Sequence, residues 1–233
     1  EKQIVQKFTD EYLTQENDTS EDTNLDSSIE WNTVLFFWKN FLEQNNLPNI
    51  MFQTTLKKII SKTFTLDEKS ENFINVKGKK FEQLSFFIDF WKINIVKDTD
   101  GEYDTDEIAK LFKIEYKNKK LRISEKDILS ILSYFFPNIE ISNNKTIQNI
   151  SCKKWNKNDE LSNSLDIIRE KFKLVNYKYK ISFYDIYKEY CDLCVKNSQK
   201  MIAKKNYFEK FIIDSLPSEF IVDEEFIHEK WLL

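Results

Sequence analysis

Glycine is almost missing from this chain: 2 of 233 residues, alongside 3 prolines and a single histidine. Glycine supplies the left-handed backbone positions that dense β-architecture and phosphate-cradling loops require, so both are disfavoured. G-x-x-x-x-G-K-[ST], G-x-G-x-x-G and G-x-S-x-G are all absent, and with them the nucleotide-binding and hydrolase devices they build. His228, alone in an acidic tail, leaves no Ser/His/Asp or Cys/His group to assemble. Carboxylates are plentiful but fall in no recognisable catalytic spacing. The expectation is no catalysis, no cofactor and no small-molecule substrate. An odd number of cysteines, no signal-like start and no long apolar run point to an intracellular, reducing compartment such as nucleus, cytoplasm or viral factory, without a membrane span. Glu1 in place of a methionine reads as the start of a fragment.

What is present favours a packed, helical protein. Hydrophobic residues make up 41% and aromatics 15%, enough for a core. With so little glycine, tight turns fall to Asn, Asp and Ser. Charge is unevenly spread: residues 1–32 hold nine acids against two lysines, and residues 216–233 hold five acids against one lysine. The stretch between them carries 32 basic against 25 acidic side chains, a net of +7. A basic body between acidic ends is compatible with nucleic-acid contact.

Apolar periodicity organises the chain. Ile4, Val5, Phe8 and Tyr12 predict an opening helix, followed by an acidic, polar linker over residues 15–28. Val34, Leu35, Trp38, Phe41 and Leu42 predict a helix ended by Pro48, and a second runs from about Asn49 to Lys62. Phe73 to Val76, turning on Lys77-Gly78, predicts a hairpin. Helices follow over 84–96, 106–119 and from Ser124, a good N-cap, to Pro137, with an acidic turn near 98–104. Residues 139–150 alternate and turn on Asn143-Asn144, the best hairpin signal in the sequence. Helices over 161–172, 183–195 and 203–215, then a short pairing near 220–227, complete the pattern. The fold class predicted is mainly α with short β-hairpins, in two or three tandem winged-helix-like units. The divisions are 1–30 (helix and linker), 31–81, 82–157 and 158–233. Each unit closes on a short segment ending in an aromatic, at Phe81, Trp155 and Trp231.

Two patterns bear on metal binding. Cys191-Asp-Leu-Cys194 with Cys152 and His228 could make a Cys₃His set, but the pair lies beside a helix's apolar stripe, where free cysteine is ordinary core. Asp98 to Glu107 hints at a calcium loop, yet its sixth and twelfth positions hold Tyr103 and Ala109 where glycine and an acid are needed. The remaining signal is lysine. Lys57, Lys58 and Lys62, and Lys204, Lys205 and Lys210, decorate the second helices, where a winged helix carries its groove-reading helix. Lys77, Lys79 and Lys80, and Lys153, Lys154 and Lys157, fall at the expected wings, suited to phosphate contacts.

The stretches Tyr103–Trp155 and Ser182–Trp231, with the phrase Phe90-Trp91-Lys92-Ile93-Asn94-Ile95, resemble the C-terminal winged-helix region of poxvirus-type primase-helicases, replication proteins of large eukaryotic DNA viruses. The resemblance covers residues 81–233, lies in element order, and transfers no functional residue. It implies an accessory region of such a protein. The function expected is a nucleic-acid-binding module, DNA or RNA, contacting phosphates through lysine. A protein–protein adaptor is the alternative.

Overall fold

The structure is a computed structural model that describes residues 2–15, 28–175 and 179–233; most of the acidic linker read at 15–28 lies outside them, as does the side chain of Lys79. Among the described residues the chain is mainly helical, with small antiparallel sheets of two or three strands. In chain order the elements are α1 (Lys2–Tyr12), β1 (Thr14–Gln15), β2 (Ser28–Glu30), α2 (Trp31–Gln44), α3 (Gln53–Ile60), β3 (Leu66–Asp67), β4 (Asn72–Ile74) and β5 (Val76–Lys77). Then come α4 (Lys79–Asn94), β6 (Ile95–Asp104), α5 (Thr105–Glu115), α6 (Glu125–Phe135), β7 (Ile141–Ser142) and β8 (Thr146–Cys152). The chain continues through α7 (Lys157–Leu174), β9 (Ile181–Ser182), α8 (Phe183–Lys196), α9 (Lys205–Ser215), β10 (Ile221–Val222) and β11 (Phe226–Ile227).

One order recurs three times: helix, strand, helix, helix, strand, strand. It is filled by α1-β2-α2-α3-β3-β4, by α4-β6-α5-α6-β7-β8, and by α7-β9-α8-α9-β10-β11. Each three-stranded sheet has the same arrangement, with the last strand of the set in the middle: β2-β4-β3, β6-β8-β7 and β9-β11-β10. Apart from β6 and β8 the strands are only two or three residues long, and sheets this small depend on the helices covering them.

By its contacts the chain divides into two compact units, residues 1–91 with 112–137, and 92–111 with 138–233. In the first, α1 packs on α2 and α3 through buried Val5, Phe8 and Tyr12. Phe8 stacks on Tyr12 at 5.1 Å and meets Trp38 edge-on at 5.3 Å, above buried Phe41, Leu56, Ile60 and Phe73. In the second, α8 and α9 pack through Tyr190 stacked on Phe208 at 5.1 Å, over buried Leu161, Ile168, Ile212 and Ile227.

Local chemistry explains the boundaries. Ser124, Asn156 and Ser182 cap α6, α7 and α8, each accepting a first-turn N–H. The β7–β8 hairpin turns on Asn143 and Asn144 at φ 50° and 51°, as the sequence predicts, and β10–β11 turns on Asp223 and Glu224, both at 54°.

Three expectations change. The first hairpin is β3–β4, turning over residues 68–71, and not a turn on Lys77-Gly78. Gly78 instead starts α4, its carbonyl accepting from the N–H groups of Phe81 and Glu82. A Cβ there would lie 2.3 Å from the Tyr12 carbonyl oxygen, so close approach and not a turn requires the glycine. The acidic stretch near 98–104 is strand β6, bulged between Lys97 and Glu102 against β8, and not a turn. Backbone contact again explains the glycine: a Cβ on Gly101 would lie 2.1 Å from the Ile150 carbonyl oxygen. The segments closing on Phe81 and Trp231 are not hairpin strands, since Phe81 lies in α4 and Trp231 in a 3-10 turn over Glu229–Leu232.

Candidate nucleic-acid interface

The polar face of α3 is built by a short amphipathic sequence. Leu56 and Ile60 point inward, while Gln53, Thr54, Thr55, Lys58, Ser61 and Lys62 are exposed. Thr54 and Lys58 share a face of α3 at a four-residue step, and exposed Lys62 follows in the turn after the helix. Lys57 has a different role. Its amine pairs with Glu71 at 3.0 Å, in the β3–β4 turn, and lies 5.5 Å over the Trp31 ring, fixing α3 against the sheet. Lys58 and Lys62 have no ion pair among the described residues.

The chain segment that carries α3 holds no acid of its own. From Gln44 to Leu66 the chain holds three lysines and no acid, in a protein with 39 acids against 35 bases. That window is legible in the sequence, though lysine positions by themselves do not show it.

The corresponding helix of the second unit, α9, carries its lysines differently. Lys204 pairs with Asp104 at 2.7 Å and Asp106 at 2.6 Å. Lys205 pairs with Glu209 at 3.4 Å and Lys210 with Glu102 at 2.9 Å. Burial would raise the Asp104 carboxyl, but hydrogen bonds from Lys204 and Thr146 outweigh it and hold the group below the usual aspartate range. Beside α9 lies a cleft of about 700 Å³ lined by Asp100, Glu102, Asn158, Tyr207, Lys210 and Asp214, among others. Its carboxylates outnumber its single amine, so it repels phosphate.

Of the lysines expected at wings, Lys153 and Lys154 form the tight turn between bridged Cys152 and Trp155, whereas Lys80 and Lys157 lie in helices. Lys80 sits in the first turn of α4, 3.7 Å from Glu11 and 4.1 Å over the Tyr12 ring. Lys153 and Lys154 follow β8, the Lys153 amine donating to the Ile93 carbonyl at 2.8 Å. Lys157, expected at a wing, is 3% exposed and pairs with Glu107, 5% exposed, at 2.7 Å. The rings of Tyr207, Tyr103 and Trp155 surround its amine at 3.9, 4.5 and 5.4 Å. Desolvation pulls its pKa down against the attraction of Glu107. Tyr103 completes this buried knot, donating to the Trp155 carbonyl and accepting from the N–H groups of Cys152 and Lys157. The second Glu107 oxygen is buried without a hydrogen-bond partner.

Among the described residues no three His, Cys, Asp or Glu side chains are grouped to hold a metal. Cys152 and Cys194 are buried, and burial pushes the Cys194 thiol up to about 11. His228 Nδ1 accepts from the Lys230 N–H at the head of the last 3-10 turn. Asp98–Asp104 is strand, and Asp106 and Glu107 occupy the first turn of α5, favourable to its dipole. No described helix is long and apolar enough to cross a membrane. The chain matches no family model, no curated protein and no solved structure.

Proposed function

We propose that this chain is a non-enzymatic nucleic-acid-binding module made of winged-helix-like units, and that α3 is its contact helix. The observation that carries the reading is the acid-free stretch from Gln44 to Leu66, with Lys58 and Lys62 exposed and in no ion pair among the described residues. The thrice-repeated element order and the shared strand arrangement support the winged-helix reading, in which the third helix of each set reads the groove. Lysine ammonium groups are point charges without forked geometry, so binding is weakly sequence-selective. The three free cysteines suit a reducing compartment. The resemblance of residues 81–233 to replication proteins of large DNA viruses supports a place in replication.

Salt dependence tests this directly. Each phosphate contact contributes about 0.9 to the log–log slope on duplex DNA and about 0.7 on single strands. Replacing Lys58 and Lys62 together by Ala flattens the slope by about 1.8 on duplex and about 1.4 on single strands. An unchanged slope removes α3 from the interface. A wild-type chain that shows no salt-sensitive binding to DNA or RNA at low ionic strength leaves the adaptor as the function.

A further inference from the structure

The acid-free window contains more than lysine. Phe52 is 80% exposed and Ile50 is 68% exposed, two apolar side chains held in water just ahead of α3. Phe52 occupies the N-cap, with extended backbone at φ −66° and ψ 140°, and no side chain there caps the first turn. An N-cap prefers Ser, Thr, Asp or Asn, which is what α6, α7 and α8 have in Ser124, Asn156 and Ser182. Folding thus gains little from the ring at this position: it stays 80% exposed and stands where a capping side chain would.

A ligand does explain it. Resting on the reading of α3 as the contact helix, we infer that Phe52 is a stacking platform for an unpaired base, making single-stranded or frayed nucleic acid the preferred substrate. Aromatic rings stack on any base, and single-strand binders combine such rings with cationic side chains that follow the phosphates. Both components are present in one segment. From Phe52 to Lys58 is six residues, about 9 Å along a helix, or about two to three nucleotides of a stacked strand, and Lys62 follows in the next turn. In a closed duplex the base faces are covered by their neighbours, and a phenyl ring would gain only contact with a thymine methyl. Charge complementarity selects the occupant: Lys58 and Lys62 favour a polyanion, and no acid from Gln44 to Leu66 opposes it. Ile50, two residues before Phe52, supplies a second apolar contact beside the displaced base.

Two substitutions at one position test this. Phe52→Ser removes the ring and supplies a helix cap, so the melting temperature holds or rises while single-strand affinity falls. Phe52→Trp keeps a stacking face and keeps the affinity. Using a single-stranded DNA oligonucleotide and the same sequence as a blunt duplex, Phe52→Ser lowers single-strand affinity about 5- to 150-fold, the range measured per stacked base, and leaves duplex affinity unchanged. With 2-aminopurine in the single strand, wild type and Phe52→Trp change its fluorescence on binding and Phe52→Ser does not. Equal loss on both forms, or loss on neither, overturns the stacking site even where Lys58→Ala with Lys62→Ala still flattens the salt slope. Binding of neither form by the wild type overturns both this inference and the nucleic-acid reading, and leaves the exposed pair to a protein partner.

Discussion

Helices α3 and α9 occupy the same place in the recurring element order, and each brings three lysines. Their surroundings give those lysines opposite uses. Around α3, among the described residues, the one carboxylate paired with a lysine is Glu71, on Lys57, and Lys58 and Lys62 remain exposed. Around α9, Glu102, Asp104, Asp106 and Glu209 engage all three amines. Strand β6 thereby stands to α9 as a phosphate backbone stands to a binding helix, one carboxylate row replacing the other. A basic helix face is informative only after the acids within reach of it are counted, because the same ammonium group serves a ligand in one setting and the fold in another.

The largest effect that would sharpen this contrast is on stability. The α9 side of the second unit is anchored at Tyr207, whose ring lies 3.9 Å from the Lys157 amine. Lys157→Ala leaves Glu107 charged and buried without a counterion, a loss of about 3–5 kcal/mol in urea unfolding. Replacing both partners with apolar residues, Lys157→Met with Glu107→Leu, restores most of it, since a buried pair is roughly offset by its own desolvation. Lys58→Ala on α3 stays within about 0.5 kcal/mol of wild type. If Lys157→Ala unfolds like wild type, the knot is not what holds α9, and the contrast between the helices loses its structural half.

How far the sequence carries this comparison follows from range. Apolar spacing is local, so α2, α6, α8 and α9 are legible, and Ser124 and Asn143-Asn144 mark their boundary and turn by side-chain chemistry alone. Strand β6 is not legible, because Asp98 to Gly101 reads as a turn until β8 pairs with it and the bulge after Lys97 absorbs the mismatch. Two-residue strands such as β9 are too short to show a period. At the site, Lys204 is visible as a lysine but its partners lie about a hundred residues earlier in the chain, and only the fold brings them together. The exposure of Phe52 is equally hidden: it stands four residues before Leu56, in line with the apolar stripe of α3, and only the fold leaves it 80% exposed.

A moderate effect lies with Lys204 itself. Its two carboxylate bonds are charge-assisted, but the side chain is 39% exposed, so solvent screening reduces the expected loss in Lys204→Ala to about 1 kcal/mol at neutral pH. The sign with pH follows from Asp104. Its folded pKa is below the ordinary aspartate value, so the folded state holds its proton more weakly than the unfolded chain does. That stabilisation is fully present above the ordinary range near about 4 and is lost as pH falls through the lowered value. Thermal melts of wild type and Lys204→Ala therefore converge on acidification below that range. A gap that widens in acid contradicts the assignment of Asp104 as the carboxylate that Lys204 stabilises.

The smallest expected effect is the most direct test of the comparison. Lys205→Ala with Lys210→Ala removes as many charges as Lys58→Ala with Lys62→Ala, so a purely global electrostatic account predicts similar flattening of the salt slope for both. The ion pairs predict otherwise. Lys205 and Lys210 are neutralised by Glu209 and Glu102 in the free protein, and they release few counterions from the nucleic acid because they do not bind it. The α9 double variant keeps the wild-type slope within error, and its affinity falls only by the modest weakening of long-range attraction that physiological salt screens. A slope lowered by about 1.8 in the α9 variant, equal to that of α3, would mean that phosphate displaces Glu102 and Glu209 from their lysines. The two helices would then be equivalent contact surfaces, and the carboxylates of β6 would be a competitor for the ligand and not a permanent partner of the fold.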